Sequence, residues 1–176
     1  MGNEMLPEKV TETERLILRH FCESDIDSLA NILADPEVMK FSLKGPYSLE
    51  QTRGLVEYTI SSYESNGLGL WAAVHKADGN LIGYCGHFVQ EIDGRREIEL
   101  TYRFAKEYWG KGLATEAARA TCKYAFTELG LNHLISIIEA ENIASIRVAE
   151  KCGLKYEKDS TFHGIPVRIY YIELKL

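Results

Sequence analysis

The chain has 176 residues, a formal net charge of −6, 26% charged residues and 45% hydrophobic residues. This length and composition predict a single soluble domain spanning residues 1–176, with a core large enough to be stable alone. The acidic balance argues against a nucleic-acid partner and is compatible with a cationic partner such as an amine.

The cysteines and the apolar runs exclude two further classes of protein. Cys22, Cys85, Cys122 and Cys152 form no C-x-x-C pair and have no close histidine partner, so we expect no metal site. The sequence contains no charged-then-apolar leader and no apolar run long enough to cross a bilayer. We therefore expect a cytoplasmic protein with no membrane partner.

The first half of the chain predicts a strand, two helices and three more strands. Arg15–Arg19 alternates apolar and polar residues, as a strand does. Ser24 and Ser48 fit the N-cap position of helices that end near Asp35 and before Gly67. Asp78-Gly79 and Asp93-Gly94 then separate three strand-like segments with the chemistry of hairpin turns, at residues 70–75, 81–90 and 97–104.

The second half predicts two helices and three strands. A helix from about Gly112 to Leu129 has Gly130 in the position of a C-terminal cap. A strand near residues 134–140, a helix over residues 143–152 and two strands around Gly164 follow. The order β-α-α-β-β-β-α-β-α-β-β indicates an α/β fold with a mixed sheet.

A glycine-rich turn, Gly110-Lys111-Gly112, lies between a predicted strand and a predicted helix. Two glycines allow a ligand to approach the backbone closely, and the first turn of a helix offers free N–H groups to an anion such as a pyrophosphate. Lys111 adds a positive charge. The segment matches neither the P-loop pattern nor the dinucleotide fingerprint, so a plain tight turn remains the alternative explanation.

Three segments in chain order resemble the GNAT acetyltransferases, and in particular their RimJ/RimL-like branch. Thr13–Arg19 resembles T-E-R-L-x-L-R, and Glu99–Ala117 resembles a strand like E-I-G-Y that leads into Y-W-G-K-G-x-A-T-E-A. Residues 142–154 resemble N-x-x-S-x-x-x-x-E-K-x-G-F, with Leu154 in place of Phe. The resemblance implies a mostly antiparallel seven-stranded sheet flanked by about four helices, with strands four and five splayed apart.

The same resemblance implies a cofactor and a set of contacts. It implies an N-acetyltransferase that uses acetyl-CoA and acts, as a monomer or homodimer, on a protein N-terminal α-amine or a small-molecule amine. Asn142 is implied to bind the cofactor but is also a good helix N-cap, so both of these roles stay open. The implied cofactor-binding residues are Tyr102, Arg103, Phe104, Trp109, Gly110, Lys111, Gly112, Leu113, Ala114, Thr115 and Asn142.

Glu99 and Ser145 are the implied catalytic residues. An amine must be neutral to attack, and at pH 7 roughly a tenth of an α-amine but only about one lysine in 2,500 is neutral. Glu99 matches the glutamate of the branch and would act as the base, with Glu97 on the same face as a second candidate. Ser145 matches the serine that would protonate the departing thiolate. The alternative is an acetyl-CoA-binding module without transfer activity.

Overall fold

The computed structural model describes residues 7–174, which form an eight-stranded sheet and four α-helices. Short 3₁₀ turns lie at Glu23–Asp25 and Lys106–Tyr108. The helices are α1 (Ile26–Leu33), α2 (Leu49–Asn66), α3 (Leu113–Thr127) and α4 (Ile143–Lys151). The strands are β1 (Lys9–Glu12), β2 (Leu16–Arg19), β3 (Leu70–His75), β4 (Leu81–Ile92), β5 (Arg95–Phe104), β6 (His133–Ile138), β7 (Lys155–Phe162) and β8 (Ile165–Glu173).

The fold class is confirmed, but the predicted count of seven strands is wrong by one. The additional strand is β1, which pairs antiparallel with β2 at the edge of the sheet. Its sequence, Lys-Val-Thr-Glu, is short and lacks an apolar alternation, so no pattern marked it. The prediction of one domain over residues 1–176 stays a prediction, because residues 1–6 and 175–176 lie outside the described part.

The sheet opens between β5 and β6. The strand order is β1-β2-β3-β4-β5-β6-β8-β7, and β5–β6 is the parallel pair in an otherwise antiparallel sheet. These two strands are in register at one pair, Glu99 with Ile135. One residue further along each strand, the Ser136 hydroxyl donates to the Leu100 carbonyl at 2.9 Å. The two strands therefore separate towards their C-terminal ends, where β5 leads into the glycine-rich turn.

The two faces of the sheet pack against different helices. Leu70 and Ala72 of β3 face the cluster built on α1 and α2, whereas Trp71 and Ala73 face the cluster built on α3 and α4. This alternation follows from the two-residue period of a strand. Both faces are thus buried, which fixes the register of the central strands.

The β4–β5 hairpin is long enough to contact the C-terminal strands. Its turn residue Asp93 accepts a hydrogen bond from the Ser160 hydroxyl at 2.7 Å and forms an ion pair with Lys158 at 2.6 Å. Ile92 beside it packs in a small cluster with Val167 and Ile169 of β8. These contacts hold the hairpin beside the opening between β5 and β6.

The two predicted N-caps had different outcomes. At α2 the prediction is confirmed: the Ser48 hydroxyl accepts from the Gln51 N–H at 3.2 Å, and the Gln51 side chain accepts from the Ser48 N–H at 2.8 Å. At α1 it is wrong, because the helix begins at Ile26 after a 3₁₀ turn. The carboxylate of Asp25 is bound by the Arg19 guanidinium through two 2.8 Å contacts, which fixes this turn.

Candidate active site

The glycine-rich turn presents a run of unpaired backbone donors. Gly110 and Gly112 have φ angles of 72° and 79°, a left-handed region that suits glycine. The first bond of α3 runs from the Glu116 N–H to the Gly112 carbonyl at 3.0 Å. Within residues 7–174, the N–H groups of residues 110–115 have no acceptor. Such a run at a helix N-terminus is an anion-binding arrangement.

A clamp from the N-terminal segment holds this turn. Arg15 donates to the Lys111 carbonyl at 2.8 Å and, through Nε, to the Glu116 carboxylate at 2.7 Å. The Thr13 hydroxyl donates to the same carboxylate at 2.6 Å. Although burial opposes it, the hydrogen bonds from Thr13 and Arg15 hold the pKa of Glu116 below its usual value. Sequence reasoning missed this clamp, although its residues lie in the segments that resemble the family.

The predicted residues of the turn differ in what their side chains can do. The indole of Trp109 donates to the Phe104 carbonyl at 2.8 Å, so a ligand at that carbonyl would compete with it. Leu113 is 2% exposed and belongs to the core, so only its backbone N–H is available to a ligand. The Lys111 ammonium lies 5.3 Å from the centre of the Tyr108 ring. Ala114 and Thr115 are half-buried in the first turn of α3.

An open basic groove adjoins the turn. It has a volume of about 710 Å³ and lies beside Gly112 and Thr115. Its charged lining consists of four cations and two carboxylates: Arg15, Arg119, Lys123, Lys151, Glu14 and Glu116. Because Arg15 and Glu116 are paired with each other, three cations remain against the single carboxylate of Glu14, and the groove favours an anion. Sequence reasoning did not predict this groove, because its cations come from three separate parts of the chain: Arg15 precedes β2, Arg119 and Lys123 lie on α3, and Lys151 ends α4.

A cavity of about 240 Å³ occupies the opening between β5 and β6. The structure brings five of the predicted site residues together in its lining: Glu99, Tyr102, Arg103, Asn142 and Ser145. Residues 104 and 109–115 are absent from that lining, so the predicted residues fall into two places, the cavity and the turn.

Glu99 has the properties of a group that exchanges protons near neutral pH. Burial raises the pKa of Glu99 to about 7, while hydrogen bonds from Gln90 and the Ile137 backbone and the charge of Arg103 oppose the shift. The Gln90 amide donates to the Glu99 carboxylate at 2.8 Å. Glu97, the second candidate, lies outside the cavity lining, with its carboxylate 3.3 Å from the His133 imidazole.

Ser145 lines the same cavity from the first turn of α4. The Asn142 side chain accepts from the Ser145 N–H at 3.2 Å, which confirms Asn142 as an N-cap. The Tyr102 hydroxyl donates to the Ser145 carbonyl at 2.8 Å and so joins β5 to α4 across the opening. Burial raises the pKa of Tyr102, which keeps the hydroxyl a donor. The Tyr102 side chain was not predicted, since only its backbone was assigned.

Metal and membrane sites were both predicted to be absent. Within residues 7–174, no three His, Cys, Asp or Glu side chains are grouped so as to hold a metal ion. In the same residues, no helix is long and apolar enough to span a membrane.

Comparisons with known proteins identify the family. Residues 15–155 match the acetyltransferase (GNAT) domain family. The chain is 36% identical to the Bacillus subtilis protein YkkB, over 90% of this chain and 92% of that one. It is 32% identical to the Bacillus licheniformis N-acetyltransferase p20, over 84% and 82% of the two chains. The chain therefore belongs to the GNAT acetyltransferase family.

A solved structure has the same fold. The ribosomal-protein α-N-acetyltransferase RimL, in complex with coenzyme A, superimposes with a TM-score of 0.80. The alignment covers 95% of this chain and 98% of RimL at 18% identity. The mixed sheet with its flanking helices is therefore that of GNAT proteins, whereas membership of the RimJ/RimL-like branch stays a prediction.

Proposed function

We propose that the protein is an acetyl-CoA-dependent N-acetyltransferase whose acceptor amine reacts in the cavity between β5 and β6. The observation that carries this proposal is that Glu99, a carboxyl group with a pKa of about 7, lines the same cavity as Ser145. The relative p20 is named as an N-acetyltransferase, which supports the same reaction. In our proposal the protein also belongs to the RimJ/RimL-like branch, and its resemblance to that branch in three segments supports this.

The residues fit acetyl-CoA. The unpaired N–H groups of residues 110–115 and the cations of the basic groove suit the phosphates of this cofactor. Backbone groups of Tyr102 and Arg103, at the edge of β5 that has parted from β6, suit the amides of the pantetheine arm. RimL, which has the same fold, was solved in complex with coenzyme A. When bound, acetyl-CoA supplies an acetyl group in the form of a thioester.

Glu99 acts as the base in this proposal. It accepts a proton from the acceptor amine, directly or through a water molecule, as the new C–N bond forms. A base with a pKa of about 7 is half ionised at neutral pH and lies within about one unit of an α-amine near 8. The pKa of a lysine amine, near 10.4, lies about 2.4 units above that of an α-amine, so an α-amine is the better matched acceptor.

Ser145 acts on the leaving group, the sulfur of the cofactor, in this proposal. As the C–S bond breaks, its hydroxyl donates a hydrogen bond or a proton towards the departing sulfur. The N-cap from Asn142 and the Tyr102 hydroxyl fix the backbone on both sides of this serine. The acceptor is a protein N-terminal α-amine or a small-molecule amine, and the protein works in the cytoplasm as a monomer or homodimer.

The test is an assay of thiol release from acetyl-CoA with a panel of amines and N-terminal peptides, with mass spectrometry of the products. We expect thiol release that depends on an amine, together with a product heavier by one acetyl group. Tight binding of acetyl-CoA with no turnover of any amine would overturn the proposal in favour of a binding module without transfer activity.

A further inference from the structure

The cavity lining includes an apolar wall of five side chains beside a comparable amount of polar surface. Phe41 and Leu43 line it from the loop between α1 and α2, Phe88 lines it from β4, and Phe162 and Val167 line it from the C-terminal hairpin. Burial of apolar atoms of a ligand against such a wall is favourable in proportion to the area covered. The wall therefore favours an acceptor with an apolar body beside its amine.

The charges in the lining do not favour a polycation. Lys44 and Arg103 supply two positive charges, and Glu99 and Glu139 supply at most two negative ones. Because Glu99 has a pKa of about 7, it is only partly ionised at neutral pH. A polyamine or an aminoglycoside would bring several positive charges beside those of Lys44 and Arg103 without enough carboxylates to offset them.

Arg103 is a half-buried cation without an acidic partner. Within residues 7–174, no carboxylate lies within 4 Å of its guanidinium, and the side-chain atom in polar contact with it is the Met39 sulfur. A guanidinium is always charged, and taking it from water without a carboxylate costs free energy. Its planar donors match a carboxylate in geometry. This unpaired cation therefore points to an anionic group on the ligand.

The spacing along β5 indicates where that group lies on the acceptor. Arg103 and Glu99 are four residues apart on the same face of one strand, which separates their backbones by about 13 Å. Both residues line the cavity, and both have side chains long enough to approach one ligand from two ends. A dipeptide holds its amine and its carboxylate several bonds apart, whereas a free α-amino acid holds them on one carbon. The volume of about 240 Å³ also suits a small acceptor, because typical ligand pockets hold ~300–1,000 Å³.

We propose that the acceptor is a dipeptide-sized amine that carries a carboxylate on an apolar body, and that the Arg103 side chain binds this carboxylate. This inference rests on the proposed acetyl-transfer function. It makes Arg103 a specificity-determining residue through its side chain, in addition to the backbone contact proposed above for the cofactor.

The test compares the dipeptide Ala-Phe with its C-terminal amide, which has the same apolar body and an α-amine of similar basicity. We expect kcat/KM to be at least about tenfold higher for the acid, the range of a charge-assisted hydrogen bond. Arg103→Gln should abolish this preference and Arg103→Lys should keep part of it. Arg96→Gln, at an exposed position of the same strand outside the cavity lining, should preserve it.

Binding measurements separate this inference from the proposed function. Calorimetry with the coenzyme A complex should give a dissociation constant at least about tenfold lower for Ala-Phe than for its amide, even if no amine is turned over. Equal values of kcat/KM and of affinity for the acid and the amide, or a preference for spermidine over both, would overturn the inference. Absence of turnover combined with a preference in binding would overturn the proposed function alone.

Discussion

Glu99→Gln replaces the buried carboxyl of the cavity with a neutral group of the same shape, and its effect on stability follows from the pKa. Burial raises the pKa of Glu99 from 4.5 to about 7, so the folded protein holds this proton more tightly than the unfolded chain. The contribution of the protonated carboxyl to the free energy of unfolding is fully present below about pH 4.5 and is lost as the pH rises through 7. At about 1.4 kcal/mol per pKa unit the loss has an upper limit of about 3 kcal/mol, reduced where the carboxyl contacts solvent in the cavity.

The assay for this prediction is urea unfolding of both proteins between pH 5 and pH 8.5. The free energy of unfolding of Glu99→Gln, relative to that of the natural chain, should rise by about 1–3 kcal/mol across this range. In acetyl transfer, the pH profile of kcat/KM should have an acidic limb near pH 7 in the natural protein, and Glu99→Gln should lack this limb because it lacks the carboxyl group. Glu97→Gln, which changes a carboxylate beside His133 and outside the cavity, should retain that limb. Parallel stability profiles, or a limb near pH 7 that survives in Glu99→Gln, would refute the reasoning.

Two further predictions concern the contacts that hold the site. Arg15→Met removes the donor to the Lys111 carbonyl and the 2.7 Å ion pair with Glu116, so we expect the affinity for coenzyme A to fall about tenfold in calorimetry. An unchanged affinity would show that the turn keeps its shape without the clamp. Tyr102→Phe removes the hydroxyl that donates to the Ser145 carbonyl, which should lower the free energy of unfolding by about 1 kcal/mol in urea. An unaltered urea midpoint and slope would contradict this contribution.

Local signals in the sequence predicted the helices and hairpins that carry their own caps and turns. Ser48 with Gln51 marked the start of α2, and Gly67, with a φ of 71°, marked its end. The Asp93-Gly94 pair likewise marked the β4–β5 hairpin. In each case the residues that decide the structure are neighbours in the chain.

Contacts between distant segments could not be predicted in this way. Arg15 and Glu116 are 101 positions apart, and no periodicity of either segment indicates that they meet. The start of α1 was also predicted wrongly, because Arg19 binds Asp25 and this contact shifts the start of the helix. That Arg103 has no carboxylate partner among residues 7–174 is a property of the fold, and no sequence pattern indicates it.

The resemblance to the family contributed what local patterns did not. It drew attention to Glu99 and Ser145, which the fold brings into the lining of one cavity. It did not indicate that Glu99 would be buried enough to raise its pKa to about 7, because burial depends on the hairpin and on β6. The roles of both residues stay predictions.

The most direct test of the account is a calorimetric titration of coenzyme A into the natural protein, Gly110→Ala and Gly79→Ala. Both glycines have a φ of 72° and open space where a Cβ would lie, so the two variants carry the same backbone strain. At Gly110 the added methyl group would enter the run of free N–H groups proposed to bind the phosphates. We predict an affinity at least about tenfold lower for Gly110→Ala and an unchanged affinity for Gly79→Ala; equal affinities in all three proteins would contradict the account.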